Sequence, residues 1–269
     1  MTRGGVRRLH QAGFRPGEAG TAALSGPAQA LFQGCLRFLS AALGRHAEIA
    51  MQAPLFLSRR VLQTSGYLAH FPHQIIPCRR GSPATCLTPA ACLHVYPGLS
   101  GRHFAAGETR STLILARCAR YEGGAWSFPF RLADFHMLEV VVLGDEMRVA
   151  AAQRRMASLA SALFDALGIP GTWSAATDAF FLGNGDGARR LQQLKALKRE
   201  YTARVAGQDV AVASLNNHDD YFCRRFGIGR GRAQHLASFC LAFGIERLTA
   251  VGLLLWGSAR ADWPRGLRS

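Results

Sequence analysis

The sequence predicts an α+β fold, and three observations predict it. Apolar runs at 111–117 (STLILAR) and 137–144 (MLEVVVLG) flank a stretch whose Gly123–Gly124 pair and Pro129 suit a turn, as an antiparallel strand pair requires. Directly afterwards, Val149, Met156, Leu159, Leu163, Phe164 and Leu167 recur near helical spacing, and Gly168 and Pro170 stop that helix. The run SFCLAFGIERLTAVGLLLWG near the end reads as a strand, a glycine-containing turn and a largely buried helix. Helices interrupted by antiparallel strand pairs define α+β.

The remaining elements follow in chain order. Residues 1–20 carry arginines without an apolar stretch, so composition points to a disordered or loosely attached tail and not to a secretory signal. The folded domain is expected over 21–269. Residues 22–48 place Phe32, Cys35, Leu36, Leu39 and Leu43 on one helical face. A Pro-, Gly- and Cys-rich middle, 66–101, predicts loops and short strands. Residues 183–187 (GNGDG) predict a loop before a basic helix at 188–204, and 209–216 alternates as a strand.

Composition bounds the function. A chain of 269 residues with 49% hydrophobic residues has enough apolar material to bury a core. It has no uninterrupted apolar run long enough for a membrane span. The net charge of +15 attracts polyanions such as nucleic acid, a nucleotide or an acidic protein, and does not choose among them. Seven cysteines, irregularly spaced and without a CxxC pair, argue for a reducing cytoplasm and against a disulfide framework.

Several side chains can carry chemistry. Cys118, Glu139 and Cys240 fall on three predicted strands, and thiolate, carboxylate and thiolate form a three-ligand zinc set with one open position. On the residues alone the plainer description is two core cysteines and an edge glutamate. On an extended strand, Cys118, Arg120 and Glu122 share a face, where an arginine can grip a phosphate; the alternative is a solvated charged face. Arg247 interrupts an apolar stretch, as a functional group or as a charge paired across the core. Asn216, Asn217, His218, Asp219 and Asp220 cluster after a strand, as a substrate or metal pocket or as a polar turn.

Eight stretches in order resemble the amino acid:carrier protein ligases, truncated relatives of the zinc-dependent archaeal-type seryl-tRNA synthetases. They are SGYLAHFP (65–72), LTPAACLHVYP (87–97), CARYE (118–122), FHMLEVVVLG (135–144), ATDAFF (176–181), QQLKALKRE (192–200), SLNNHDDYF (214–222) and CLAFGIERLT (240–249). Together they cover roughly residues 55–257.

The resemblance implies the class II aminoacyl-tRNA synthetase catalytic domain, an antiparallel sheet flanked by helices, in a cytoplasmic homodimer. CARYE resembles motif 2 and CLAFGIERL resembles motif 3, so Arg120 and Arg247 are the expected catalytic contacts to ATP, with Glu122 beside them. Zn²⁺ is expected on Cys118, Glu139 and Cys240, with its open position taking the amino group of a small amino acid; Asn216 and His218 are the expected substrate contacts. Mg²⁺ accompanies ATP. The aminoacyl-adenylate then passes its acyl group to the phosphopantetheine thiol of an acidic carrier protein, a sensible partner for a basic chain. Nothing resembles the long coiled coil that seryl-tRNA synthetases use to hold tRNA, so tRNA is not the expected acceptor.

The chain departs from the family pattern at three places. Only 20 residues separate Cys118 from Glu139, a short motif 2 loop. Where the family commonly shows FRMRE, His136 and Leu138 replace two arginines. Asn217 stands where the family has an aromatic residue. These departures leave two alternatives: adenylation with another acceptor (an amine, a peptide or tRNA), or a non-catalytic synthetase-like binding protein.

Overall fold

The computed structural model describes residues 1–78, 84–176, 197–229 and 236–268. The helices are α1 (Arg3–Gln11), α2 (Gly26–Gly44), α3 (Arg59–Thr64), α4 (Tyr67–His70), α5 (Glu146–Ala166), α6 (Tyr221–Arg225) and α7 (Ile245–Trp256). The strands are β1 (Phe14–Pro16), β2 (Ala22–Leu24), β3 (Ile49–Gln52), β4 (Phe56–Ser58), β5 (Thr85–Leu87), β6 (Thr109–Ala119), β7 (Asp134–Asp145), β8 (Gly171–Ala175), β9 (Lys198–Val205), β10 (Gln208–Asp219) and β11 (Leu236–Gly244). The fold is α+β, as predicted.

A seven-stranded sheet in the order β3-β6-β7-β11-β10-β9-β8 forms the centre. The pair β3–β6 is parallel and the other pairs are antiparallel. The central strands are apolar on both faces because both are covered. Leu138, Val140 and Val142 of β7 join Phe239, Leu241 and Phe243 of β11 in one core with α2, α5 and α7. Their alternates, Val141, Leu143 and Cys240, lie in a second core with Ile114, Cys118 and Phe222 and with the turns of 86–104. Period-two side-chain alternation assigns each residue to its layer.

The helices on the first layer have local causes. Pro27 opens α2, where a missing N–H costs nothing. Asp145 caps α5 by accepting from the Arg148 N–H at 3.2 Å. Gly168, at φ +61°, ends α5 in a left-handed turn: its N–H donates to Asp165 O and that of Ile169 to Phe164 O.

Three expectations are corrected. The first is the basic helix expected at 188–204. Its described part, 197–204, falls almost wholly in strand β9, because Tyr201, Ala203 and Val205 alternate inward and the chain turns at Ala206–Gly207 into β10. Residues 183–187 and 188–196 lie outside the described residues. The second is the loose tail at 1–20. Thr2 caps α1, and Leu9, Ala12 and Phe14 are buried in the helix-side core. Those three residues are too few to mark a pattern, yet enough to dock the segment. The third is the shared face of 118, 120 and 122. Strand β6 ends at Ala119, and Glu122 sits in a turn at φ +53°.

Replacing Phe14 with alanine empties a fully buried site. Phe14→Ala is expected to lower unfolding stability by about 3–5 kcal/mol, read from the urea midpoint at unchanged slope. A loss below about 1 kcal/mol would return residues 1–20 to the loose tail that composition suggested.

Candidate active site

Strand register builds the site. Cys240 stands opposite Val141 on one side and Asn216 on the other. Glu139 stands opposite Ala242 and Ile114. Glu139 and Cys240 are therefore diagonal neighbours on the face away from the long helices, within reach of a long side chain. A one-turn helix at Ala91–His94 packs over β6 and β7 on this face and delivers Cys92.

Among the described residues, one group of histidine, cysteine and acidic side chains brings three ligand atoms within 4.8 Å of one another: Cys92, Glu139 and Cys240. All three are buried, and Glu139 is only 3% exposed. Burial pushes the Glu139 carboxyl above the usual range, against the nearby Cys240 thiol and the Arg120 charge. Its Oε2 has no hydrogen-bond partner. A shared hydrogen bond with Cys240, burial and the charge of Glu139 push the Cys92 thiol well up. The Cys92 hydrogen bond lowers the Cys240 thiol, but burial and the charge of Glu139 together push it up.

This group differs from the predicted ligand set at one position, since Cys92 stands where Cys118 was expected. Cys118 points to the same layer but pairs with Phe135, four residues along β6 from the partner of Glu139. That is about 13 Å along the strand. It lies among apolar neighbours, with its thiol pushed up first by burial and then by Glu139. The signal for Cys92 was present in LTPAACLHVYP, but a cysteine in a single helical turn has no periodicity to mark it.

The expected nucleotide contacts gather around the 120–133 connection between β6 and β7. Arg120 is half-buried, donates Nε–H to Pro89 O at 2.7 Å and stacks over the Phe135 ring at 5.3 Å. Arg247, in the first turn of α7, donates to Phe130 O and Ala211 O, each at 2.8 Å. Glu122 is engaged within the connection by Arg131, whose Nε donates to it at 3.0 Å.

The two replaced arginines have separate fates. His136 contacts Glu246 through its backbone N–H at 2.7 Å and its Nδ1 at 2.6 Å. Leu138 faces the helix-side core.

The expected substrate contacts lie on β10, so the polar-turn alternative applies only past Asn217, where the register shifts. Asn216 is half-exposed, and its Nδ2 donates to Cys240 Sγ at 3.3 Å and to Ser214 Oγ at 3.1 Å. His218 is buried, and burial lowers its pKa to about 3.

Comparison with known proteins places this geometry in context. No protein-family model matches the chain. It is 29% identical over 89% of its length to amino acid–acyl-carrier-protein ligase 1 of Bradyrhizobium diazoefficiens, covering 82% of that protein. Against ligase 2 of the same organism it is 27% identical over 89%, covering 80%. The chain is similar to the amino acid:carrier protein ligases.

Solved seryl-tRNA synthetase structures share its fold. M. kandleri SerRS, in complex with A. aeolicus tRNASec, superposes with a TM-score of 0.86 at 16% identity. The serine-tRNA ligase of Naegleria fowleri, in complex with AMP, gives 0.83 at 16%, and seryl-tRNA synthetase from Pyrococcus horikoshii, complexed with ATP, gives 0.80 at 17%. Each match covers 98% of this chain, which spans 59%, 58% and 61% of the three solved chains respectively. The fold is therefore that of the class II synthetases, as the sequence motifs implied. Among the described residues no helix is long and apolar enough to cross a membrane.

Metal analysis of the purified protein separates the two ligand sets. Cys92→Ser and Cys240→Ser are each expected to lose bound zinc, and Cys118→Ser to keep it at the wild-type stoichiometry. Zinc retained in Cys92→Ser and lost in Cys118→Ser would restore the set expected from sequence.

Proposed function

We propose that the protein activates a small amino acid with ATP and passes the aminoacyl group to the phosphopantetheine thiol of an acidic carrier protein. The observation that carries this reading is the buried Cys92–Glu139–Cys240 group with its unpartnered carboxylate oxygen. It sits on a class II sheet, in a chain similar to amino acid–acyl-carrier-protein ligases. Two thiolates and a carboxylate suit Zn²⁺ and leave a fourth position open. Zinc bound there supplies a Lewis-acidic position for a free amine, which distinguishes amino acids from hydroxy acids.

The chain's own residues do the rest. Asn216, half-exposed and bonded to Cys240, is placed to contact the amino acid as well. The substrate carboxylate attacks the α-phosphorus of ATP in line and releases pyrophosphate, with Mg²⁺ accompanying the nucleotide. Arg120 and Arg247 neutralise charge on the phosphates. Pro89 O engages the Nε–H of Arg120, so a forked phosphate contact falls to its terminal nitrogens. Arg247 reaches a phosphate by exchanging a backbone carbonyl for it. The net charge of +15 favours encounter with an acidic carrier.

Pyrophosphate exchange tests the first half-reaction. Zinc-replete protein is expected to catalyse exchange with a small amino acid, and a chelator is expected to abolish it until zinc is returned. Exchange with none of the twenty amino acids would overturn the reading. A mass increase on a phosphopantetheinylated carrier tests the second half; exchange without loading would move the acceptor to an amine, a peptide or tRNA. Arg247→Ala is expected to keep its zinc and to lose at least about 100-fold in exchange rate. A fully active Arg247→Ala protein would remove this arginine from the nucleotide site.

A further inference from the structure

His218 is 5% exposed and sits near the end of β10 in a closed set of contacts. Its Nε2 lies 3.8 Å from Cys240 Sγ. Its Nδ1 lies 3.0 Å from Tyr96 Oη and 3.4 Å from Ser238 Oγ. Tyr96 and Ser238 are both fully buried, and their hydroxyls are 3.3 Å apart. The Phe222 ring meets the imidazole edge-on at 4.8 Å and Tyr96 at 4.5 Å, which walls the set from water. A buried imidazole with both nitrogens engaged and one aimed at a candidate metal ligand has the form of an outer support for that ligand.

We propose that His218 is a positioning residue for the metal. Its Nε2–H donates to the Cys240 thiolate, and Tyr96 fixes the ring by donating its hydroxyl to Nδ1 while accepting from the Ser238 hydroxyl. The inference rests on the zinc reading above. A metal-bound thiolate carries no proton and can only accept, so Nε2 must hold the hydrogen. Nδ1 is then the acceptor, and Tyr96 Oη is the nearer of its two hydroxyl neighbours. Asn216 Nδ2 supplies a second N–H to the same sulfur. Two donors on one sulfur draw electron density from it and hold its rotamer, which tunes the metal and orients the ligand. This role belongs to a group in the SLNNH stretch that the sequence marked as a substrate contact.

The test uses the full chain and two readouts other than activity. One is zinc affinity by chelator competition; the other is the sulfur-to-cobalt charge-transfer band of the Co²⁺-loaded protein. His218→Phe keeps an aromatic ring, slightly larger, and removes both nitrogens; Tyr96→Phe removes only the hydroxyl and is the gentler change. His218→Phe is expected to weaken zinc binding by about 10–100-fold and to shift the band. Tyr96→Phe should act in the same direction with a smaller effect. The double variant should add little to His218→Phe alone, because both act through one chain of contacts. His218→Gln, whose side-chain amide restores an N–H donor, should recover part of the affinity. Variants with wild-type affinity and an unshifted band would overturn the role of His218 while leaving the zinc reading intact. Wild-type protein that takes up neither metal would overturn both.

Discussion

The site depends on one buried carboxylate. Glu139 lies in the middle of a seven-stranded sheet, between strands apolar on both faces, with one oxygen unpartnered. Leaving such a group ionised without compensation costs several kcal/mol, and an apolar residue of similar size would pack there without that cost. Two thiols converge on it, so the three candidate ligands are all potential anions, with the Arg120 charge opposing them. Such a cluster is relieved either by holding protons, as the raised Cys92, Cys240 and Glu139 pKa values reflect, or by a divalent cation that replaces them. The turn carrying Ala91 and Cys92 packs over β6 and β7 and brings the second thiol to the same carboxylate.

The sheet converts a one-residue step in sequence into a change of layer. Leu138 and Val140 face α2, α5 and α7, whereas Glu139 and Val141 face the turns of the opposite layer. This explains the two replaced arginines without any rearrangement. Leu138 points into the helix-side core, where an aliphatic side chain packs well. His136 reaches Glu246, the residue before Arg247, through both its backbone and its ring. That contact ties the start of β7 to the first turn of α7 and so fixes the helix that presents Arg247.

Much of this was legible in the sequence, and the limits have physical causes. Strands β6, β7 and β11 and helix α7 announced themselves as apolar runs, and α2 and α5 by helical spacing, because burial imposes those patterns. Strand β9 did not, since Lys198, Arg199 and Arg204 obscure the alternation of Tyr201, Ala203 and Val205. Cys118 and Cys92 are chemically identical and both buried. Register alone distinguishes them: Cys118 pairs with Phe135, four residues down the strand from the carboxylate. Glu139 and Cys240 entered the candidate group through the resemblance of their motifs, since spacing alone does not join residues so far apart in the chain. The N-terminal segment was hidden because three inward residues anchor it, too few to form a pattern.

That segment changes the meaning of the short connection at 120–133. Phe128 packs edge-on against Phe14 at 5.4 Å and near His10 at 5.9 Å. The Ala133 N–H donates to Gly20 O at 2.7 Å. Gly20, at φ +74°, lies so close to Trp126 that a Cβ there would stand 2.4 Å from the indole, so only glycine fits. From the other side Arg247 holds Phe130 O, and within the loop Arg131 holds Glu122. A long mobile loop loses conformational freedom when a ligand orders it, and that loss weakens binding. Here the ordering accompanies folding, because the first 20 residues brace the connection from outside. In the proposed reaction, a short motif 2 loop that arrives already ordered beside Arg120 has less entropy to lose on meeting ATP. The reduced loop and the docked N-terminal segment are then two parts of one arrangement.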